Sequence, residues 1–377
     1  MNKNFLFAVS TLVGAIVGLG MFGIPYAAAK AGFFIALIYL FVLGGVTLLL
    51  HLMQGEIVER TKGSHRLPGY VEKYLGKKWK NILGAAIILS IYSALLAYII
   101  VGGKFLALLF PDFLDASAWS IIFWLVLSIL VWRGIRTVAE VELGMTGLMT
   151  LFVFVLLFGS AGHIRLENFS GFNPADFFLP YGVILFAFSG LFAIPEIREL
   201  IKLDGKGYKT AIIWGTFIPG VVYFLFILSV IGVSGINTSE EALIGLVPIL
   251  GNWITGAGAV FGLLAIATSY LVLGINLKRT FEYDWRFGSN LSALVALLIP
   301  ISLFLAGLQQ FIAVVGISGA VFGAVVAIAV ILVYQKAQML GDQAPGFILH
   351  VPKIIQWTLM LMFALGGVYE IIYLINF

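Results

Sequence analysis

Apolar residues fall in long, nearly uninterrupted stretches that are separated by short polar connections. A helix needs about 20 apolar residues to cross a bilayer. Eleven stretches have about that length, at residues 5–27, 32–58, 81–109, 117–133, 137–161, 178–199, 208–233, 251–277, 288–306, 309–334 and 354–376. A transmembrane barrel would instead show segments of about ten residues with alternating polarity. The pattern predicts an all-α integral membrane protein with eleven transmembrane helices, in a single domain that covers residues 1–377.

The composition agrees with a chain whose main solvent is lipid. Of the 377 residues, 61% are apolar and 11% are charged, and the mean hydropathy is +1.08. Soluble domains are about 45–50% apolar and about 25% charged. The chain has no cysteine, and its four histidines are too widely spaced to form a metal-ligand motif. We therefore expect no enzyme activity, no cofactor and no nucleic-acid partner.

The basic residues predict the orientation of these helices. If the N-terminus is cytoplasmic, 19 of the 22 Lys and Arg residues fall in cytoplasmic segments and two fall outside. Cytoplasmic loops carry an excess of Lys and Arg. We therefore expect a cytoplasmic N-terminus and an external C-terminus in the cell (plasma or inner) membrane. The basic connection at residues 59–80 is interpreted as an ordinary cytoplasmic loop instead of a patch that binds nucleic acid.

A short motif occurs twice, 170 residues apart. The first predicted helix ends in Phe22-Gly23-Ile24-Pro25, and the sixth contains Phe192-Ala193-Ile194-Pro195. Five helices separate the copies, so the second copy crosses the membrane in the opposite sense. Inverted repeats of this kind are typical of secondary transporters. We predict a first repeat at residues 1–161, a second at residues 178–334 and an additional helix at residues 354–376.

Both copies of the motif contain residues that interrupt helices. They are Gly14, Gly18, Gly20, Gly23 and Pro25 in the first helix, and Ser189, Gly190 and Pro195 in the sixth. Backbone groups released by such breaks cannot face lipid, but they can line a polar cavity. The alternative is close helix packing, for which Gly14-x-x-x-Gly18 is a known pattern.

The residues around both motifs resemble a known transporter family. Residues 14–27, GAIVGLGMFGIPYA, resemble the first helix of the amino acid/auxin permeases, which include bacterial aromatic amino acid permeases. Residues 186–190, FAFSG, and 193–196, AIPE, resemble their sixth-helix signature. The resemblance covers essentially the whole chain. It implies the LeuT architecture of the amino acid-polyamine-organocation superfamily, a five-plus-five inverted repeat with helices 1 and 6 broken, and secondary active amino acid transport by alternating access.

The resemblance also implies a substrate site built mostly from backbone groups. The amides of Leu19 and Gly20 would begin the second half of the first helix, where the partial positive charge suits a carboxylate. The family pattern assigns the α-ammonium group to the carbonyls of Ile16, Phe186, Ala187 and Ser189, and the side-chain pocket to Phe186, Phe188, Tyr92 and Ser93. The implied substrate is a neutral, large or aromatic amino acid.

A sodium site is implied in the eighth predicted helix. Ala265, Thr268 and Ser269 share one helix face, and in the wider fold this spacing supplies one carbonyl and two hydroxyls to a sodium ion. The carbonyls of Gly14 and Val17 complete the set of five oxygen ligands, which suits a hard cation. The alternative is that the Thr268 and Ser269 hydroxyls bond only to their own helix.

The coupling ion has two candidates. Some proton-coupled relatives place a Lys from the fifth helix in the sodium site, and the predicted fifth helix has no Lys. Some sodium-coupled relatives bind a second ion through an Asn, and Met21 stands at that position. These departures favour one sodium ion, with proton-coupled symport or exchange as the alternative. A channel or an amino acid sensor is disfavoured, and we expect a monomer whose partners are the amino acid and lipid.

Overall fold

The chain is helical throughout the residues that the computed structural model describes, which are 3–63, 65–134, 139–200, 204–283 and 285–375. The α-helices are α1 Lys3–Ile16, α2 Gly20–Ala31, α3 Phe33–Arg60, α4 Leu67–Leu75, α5 Lys77–Leu109, α6 Ala116–Trp132, α7 Ala139–Ser160, α8 Leu179–Ala187, α9 Ala193–Leu200, α10 Gly205–Ser234, α11 Val247–Leu250, α12 Asn252–Tyr283, α13 Ser289–Leu305, α14 Phe311–Ile317, α15 Gly323–Leu340 and α16 Lys353–Ile375. A π-helical turn, Ser318–Phe322, joins α14 to α15.

Most of these helices have the length and composition of membrane spans. In the described part of the chain, seven are long and apolar enough: α3, α5, α7, α10, α12, α16 and the run from α14 through α15. Helices α1 and α2 would together form one more span, bent by 52°. Helices α6 and α13 are apolar but have only 17 residues each. The chain is therefore a multi-pass membrane protein, whereas eleven spans remain a prediction.

The outer surface of the helix bundle is apolar. Phe41 of α3, Phe158 of α7 and Leu365 of α16 expose 69%, 75% and 61% of their surface. Soluble monomers rarely present large apolar patches. These helices therefore have the surface expected of a protein in contact with lipid chains.

Two predicted helices are interrupted, but the interruptions do not lie at their prolines. Helix α1 ends at Ile16 and α2 begins at Gly20, whereas Pro25 lies inside α2. Helix α8 ends at Ala187 and α9 begins at Ala193. Pro195 therefore falls in the first turn of α9, where the missing amide hydrogen is tolerated. The interruptions coincide instead with Gly18 and with Ser189-Gly190.

Glycines allow the backbones to meet near these interruptions. A methyl group on Gly20 would overlap the backbone of Ala187, and one on Gly319 would overlap the carbonyl of Gly182. Helix α2 and the π-helical turn therefore both approach α8 at backbone distance. This packing fixes where the ends of the interrupted helices lie.

Candidate functional site

The α1–α2 interruption frees backbone carbonyls from their helical partners. The Gly18 amide donates to the Ile16 carbonyl at 2.9 Å instead of to the Gly14 carbonyl. The Met21 amide donates to the Gly18 carbonyl at 3.4 Å instead of to the Val17 carbonyl. The Gly14 and Val17 carbonyls, which the family resemblance assigns to a cation, therefore lack the amide donors that a continuous helix would supply.

Tyr223 of α10 joins the two interruptions. Its hydroxyl lies 2.7 Å from the Ile16 carbonyl and 2.8 Å from the Ala187 carbonyl, and it is fully buried. The hydroxyl has one proton to donate, so the two carbonyls share it. Two of the carbonyls predicted to bind an ammonium group thus already have a protein donor. The sequence has 14 tyrosines, and nothing in it distinguishes this one.

A cavity of about 130 Å³ lies between the interruptions and extends to Arg66. Six of the nine predicted substrate-site residues line it: Ile16, Leu19, Gly20, Phe186, Phe188 and Ser189. Leu19 and Gly20 stand at the start of α2, where a helix has no internal acceptors for its amides. The cavity can therefore offer both backbone donors and backbone carbonyls to one small ligand.

The structure does not bring Tyr92 and Ser93 to this cavity. The Tyr92 hydroxyl donates to the Val295 carbonyl of α13 at 3.0 Å, and the Ser93 hydroxyl donates to Leu89 of its own helix. The cavity-lining residues of α5 are Ile87, Ser90, Ile91, Ala94 and Tyr98. They follow the helical spacing of a single face. Tyr92 and Ser93 lie at the level of the cavity along α5, but their side chains project from another face of that helix.

Polar side chains that the sequence analysis missed also line the cavity. They are Thr47, His51 and Gln54 of α3, Asn276 and Thr280 of α12, and Ser318 of the π-helical turn. In the described structure, His51 Nε2, both amide atoms of Gln54 and Asn276 Nδ2 are buried without a hydrogen-bond partner. Buried polar atoms normally have partners, so this cluster suits a polar ligand. Its signal was Thr47, His51 and Gln54, three polar residues in the apolar part of α3 that precedes Glu56.

A second cavity, of about 30 Å³, contains all five predicted sodium ligands: Gly14, Val17, Ala265, Thr268 and Ser269. Thr11 and Thr146 line it as well, and neither was predicted. The Thr268 hydroxyl donates to the Ala265 carbonyl at 2.9 Å, which is the back-bonding alternative. That bond uses the hydroxyl proton and leaves oxygen lone pairs free. The donor set fits a hard cation.

Helix α2, whose first residue Gly20 lines the large cavity, also carries part of an aromatic cluster. Phe22 of α2 packs edge-on against Phe105 of α5 and Phe226 of α10, with ring centroids 5.0 and 5.7 Å apart. Arg66, which lines the large cavity, lies 3.7 Å from the Glu196 carboxylate of α9. Phe22, Phe105 and Phe226 lie outside the lining of the cavity, whereas Arg66 forms part of it.

Buried carboxylates of α3 hold it to α9 and to the segment after α15. Glu59 of α3 forms an ion pair with Arg198 of α9 and accepts a hydrogen bond from the Gly346 amide at 2.7 Å. Glu56 accepts one from the Leu349 amide at 2.6 Å. The segment after α15 is thereby tied to the end of α3 and to α9.

Comparisons with known proteins identify the family of the chain. The model of the tryptophan/tyrosine permease family matches residues 1–371. The tyrosine-specific transport system 1 of Haemophilus influenzae is 25% identical over 369 residues, which cover 92% of this chain and 91% of the relative. The tryptophan-specific transport protein of Shigella flexneri is 24% identical over 372 residues, which cover 86% of this chain and 85% of the relative.

Solved structures share the fold. The crystal structure of MhsT in complex with L-phenylalanine aligns with a TM-score of 0.70 at 15% identity, covering 99% of this chain and 98% of that one. A manganese transporter of Eremococcus coleocola also aligns with a TM-score of 0.70 at 15% identity, covering 97% of this chain and 86% of that one. These neighbours have the LeuT fold, and at this identity the likeness establishes the fold alone.

Proposed function

Because the chain belongs to the tryptophan/tyrosine permease family, we propose that it is a secondary active transporter of neutral aromatic amino acids that works by alternating access. The main support is the large cavity, because residues at the interruptions of both helices line it and offer it backbone donors and acceptors. The names of the two curated relatives point to tyrosine and tryptophan as substrates. No covalent chemistry and no cofactor are part of the proposal.

The zwitterionic part of the substrate is proposed to bind at the interruptions. The Leu19 and Gly20 amides would receive the carboxylate, because the N-terminal end of a helix carries partial positive charge. The Phe186 and Ser189 carbonyls would accept from the ammonium group. The Ile16 and Ala187 carbonyls would take part only by sharing the donor Tyr223. The aromatic ring would lie among the apolar residues of the cavity.

Sodium is the proposed coupling ion, bound in the second cavity. The support is that Gly14, Val17, Ala265, Thr268 and Ser269 converge there and that the first two carbonyls lack helical donors. Glu196 also lines this cavity and would add negative charge near a cation. Proton-coupled symport and exchange are the competing forms of the same function.

The membrane arrangement is proposed as a five-plus-five inverted repeat of eleven spans, within the wider amino acid-polyamine-organocation group that includes the amino acid/auxin permeases. Residues 1–161 and 178–334 form the repeats, and residues 354–376 form the additional helix. Each half contains an interrupted helix followed by two long helices and then a helix of 17 residues, which supports the repeat. The protein would be a monomer in the cell membrane with its N-terminus in the cytoplasm and its C-terminus outside.

Uptake into liposomes tests the function and the coupling ion together. The full-length protein is reconstituted, and uptake of labelled L-tyrosine is measured under an inward sodium gradient, under an equal potassium gradient and with acid outside. We expect uptake that requires sodium and accumulates tyrosine above equilibrium. Uptake driven by acid alone would overturn sodium coupling and leave aromatic transport intact, and failure to take up any aromatic amino acid would overturn the transport proposal.

Variants in α12 locate the ion. Thr268→Val removes a proposed ligand, so we expect the sodium concentration for half-maximal uptake to rise at least about tenfold, in line with the loss of one charge-assisted contact. Thr255→Val is the matched control. Thr255 lies in the same buried helix and also bonds to its own backbone, but it lines neither cavity. Equal sodium dependence in both variants would contradict the assignment.

A further inference from the structure

The protonation of the His51 ring follows from its neighbours. The Thr216 hydroxyl of α10 donates to the Ile212 carbonyl at 2.9 Å and lies 2.8 Å from His51 Nδ1. Because that hydroxyl has only one proton, it accepts from His51, and Nδ1 carries the ring hydrogen. In the described cavity lining Arg66 is the one charged side chain, so a cationic ring would have no counter-ion. The ring is therefore neutral, and Nε2 is a hydrogen-bond acceptor.

The Nε2 atom of His51 is an acceptor without a donor. The side chain is fully buried, it lines the large cavity, and Nε2 has no hydrogen-bond partner in the described part of the chain. A methyl group on Gly190 would lie 3.3 Å from Cε1, the ring carbon between the two nitrogens. This carbon of the ring therefore packs beside the α8–α9 interruption. A buried acceptor without a donor destabilises the protein until a ligand supplies the hydrogen bond.

The position of His51 suits the ring of a bound amino acid. A methyl group on Gly190 would lie 2.6 Å from Ile16 Cγ1 as well as 3.3 Å from His51 Cε1. The His51 ring therefore lies close to both interruptions, at which the amino and carboxylate groups are proposed to bind. The side chain of a ligand held there would be near His51, and Leu50 and Phe192 line the same cavity.

We propose that His51 Nε2 accepts a hydrogen bond from the ring N–H or O–H of the substrate, so that the transporter selects tyrosine and tryptophan over phenylalanine. The inference rests on the proposed function. Phenylalanine has no ring donor, and its binding would leave Nε2 buried and unpaired. A site built to accept from a substrate group disfavours the analogue that lacks it. One such bond corresponds to about tenfold in affinity. Thr216 is the positioning residue that holds the ring in the accepting tautomer.

Binding of three amino acids to the purified full-length protein tests the proposal. Labelled L-tyrosine is displaced by unlabelled L-tyrosine, L-tryptophan or L-phenylalanine in the wild type and four variants. His51→Leu removes the hydrogen-bond acceptor, and His51→Gln retains one. Thr216→Val removes the hydroxyl that accepts from Nδ1 and thereby keeps Nε2 without a proton. Ser292→Ala is the control, because Ser292 is also buried without a partner but lies on α13 outside both cavities. Thermal unfolding establishes that each variant is folded.

We expect the wild type to bind tyrosine and tryptophan at least about tenfold more tightly than phenylalanine. His51→Leu should abolish the difference by weakening the binding of tyrosine and tryptophan but not that of phenylalanine. Thr216→Val should reduce the difference, and His51→Gln and Ser292→Ala should retain it. If His51→Leu does not fold, the ratios of tyrosine to phenylalanine affinity in Thr216→Val and His51→Gln test the inference instead. If His51→Leu weakens the affinities for tyrosine and phenylalanine equally, or leaves their ratio unchanged, the inference is overturned but aromatic transport is not. A wild type that binds none of the three overturns both.

Discussion

Replacing Tyr223 by phenylalanine should uncouple the two interrupted helices without altering packing. The ring stays, including its edge-on contact with Phe188 at 5.3 Å, and only the hydroxyl is lost. The Ile16 carbonyl keeps the Gly18 amide at 2.9 Å, but the Ala187 carbonyl loses the donor at 2.8 Å. The variant therefore leaves the buried Ala187 carbonyl without a hydrogen-bond donor.

The expected magnitude follows from that carbonyl. An unsatisfied buried acceptor costs about 1–3 kcal/mol, so the free energy of unfolding should fall by about that amount. Because Ile16 and Phe186 line the substrate cavity, the loss of this hydrogen bond should also make the backbone groups that bind the amino and carboxylate groups less well positioned. We expect tyrosine affinity to fall about tenfold, which corresponds to about 1.4 kcal/mol.

The assay compares Tyr223→Phe with Tyr92→Phe. Tyr92 also donates to a backbone carbonyl, that of Val295 at 3.0 Å, but it lies outside the cavity. Thermal unfolding in detergent should show similar destabilisation of both variants, whereas equilibrium binding of labelled tyrosine should weaken only in Tyr223→Phe. Wild-type affinity in Tyr223→Phe, or equal weakening in Tyr92→Phe, would refute the reasoning.

Two further predictions concern the elements around the site. Glu59→Gln removes the buried negative charge that pairs with Arg198 and accepts from the Gly346 amide, so the free energy of unfolding should fall by about 1–3 kcal/mol. An unchanged melting temperature would contradict this. Gly319→Leu places a side chain into the Gly182 carbonyl, whereas Gly45→Ala points into open space. Size-exclusion chromatography should therefore show no monodisperse protein for the first and a normal yield for the second, and a normal yield of Gly319→Leu would disprove the close backbone approach.

The helix positions were predictable because membrane spans depend on one local property. Without water, every backbone group in a span must bond within its own helix, so apolar length marks the helix directly. The stretch predicted at residues 32–58 is α3, Phe33–Arg60, and that at 117–133 is α6, Ala116–Trp132. In the sequence analysis, the interruptions were attributed partly to proline. Gly18 marks the first interruption, while Pro25 is accommodated inside α2.

The side chains of the site were less predictable because they depend on helix rotation and distant contacts. Tyr92 and Tyr98 are both tyrosines of α5, and only the packing of that helix decides that Tyr98 lines the cavity. Tyr223 acts on carbonyls 207 and 36 residues away in the chain, a relation that no local pattern contains. His51 belonged to a visible polar stripe, but a stripe alone does not reveal whether it faces a cavity, another helix or solvent.

The distribution of charge in the cavity also constrains the ligand. Among the described residues that line it, Arg66 is the one charged side chain, and Glu196 holds it by an ion pair. The groups at the interruptions are amides and carbonyls, which carry partial charges at helix ends. They can balance one carboxylate and one ammonium group, but a further full charge on the side chain would be buried without a counter-ion at a cost of several kcal/mol. We therefore expect aspartate and lysine to be excluded, because their side-chain charges would have no partner beside His51 and Gln54.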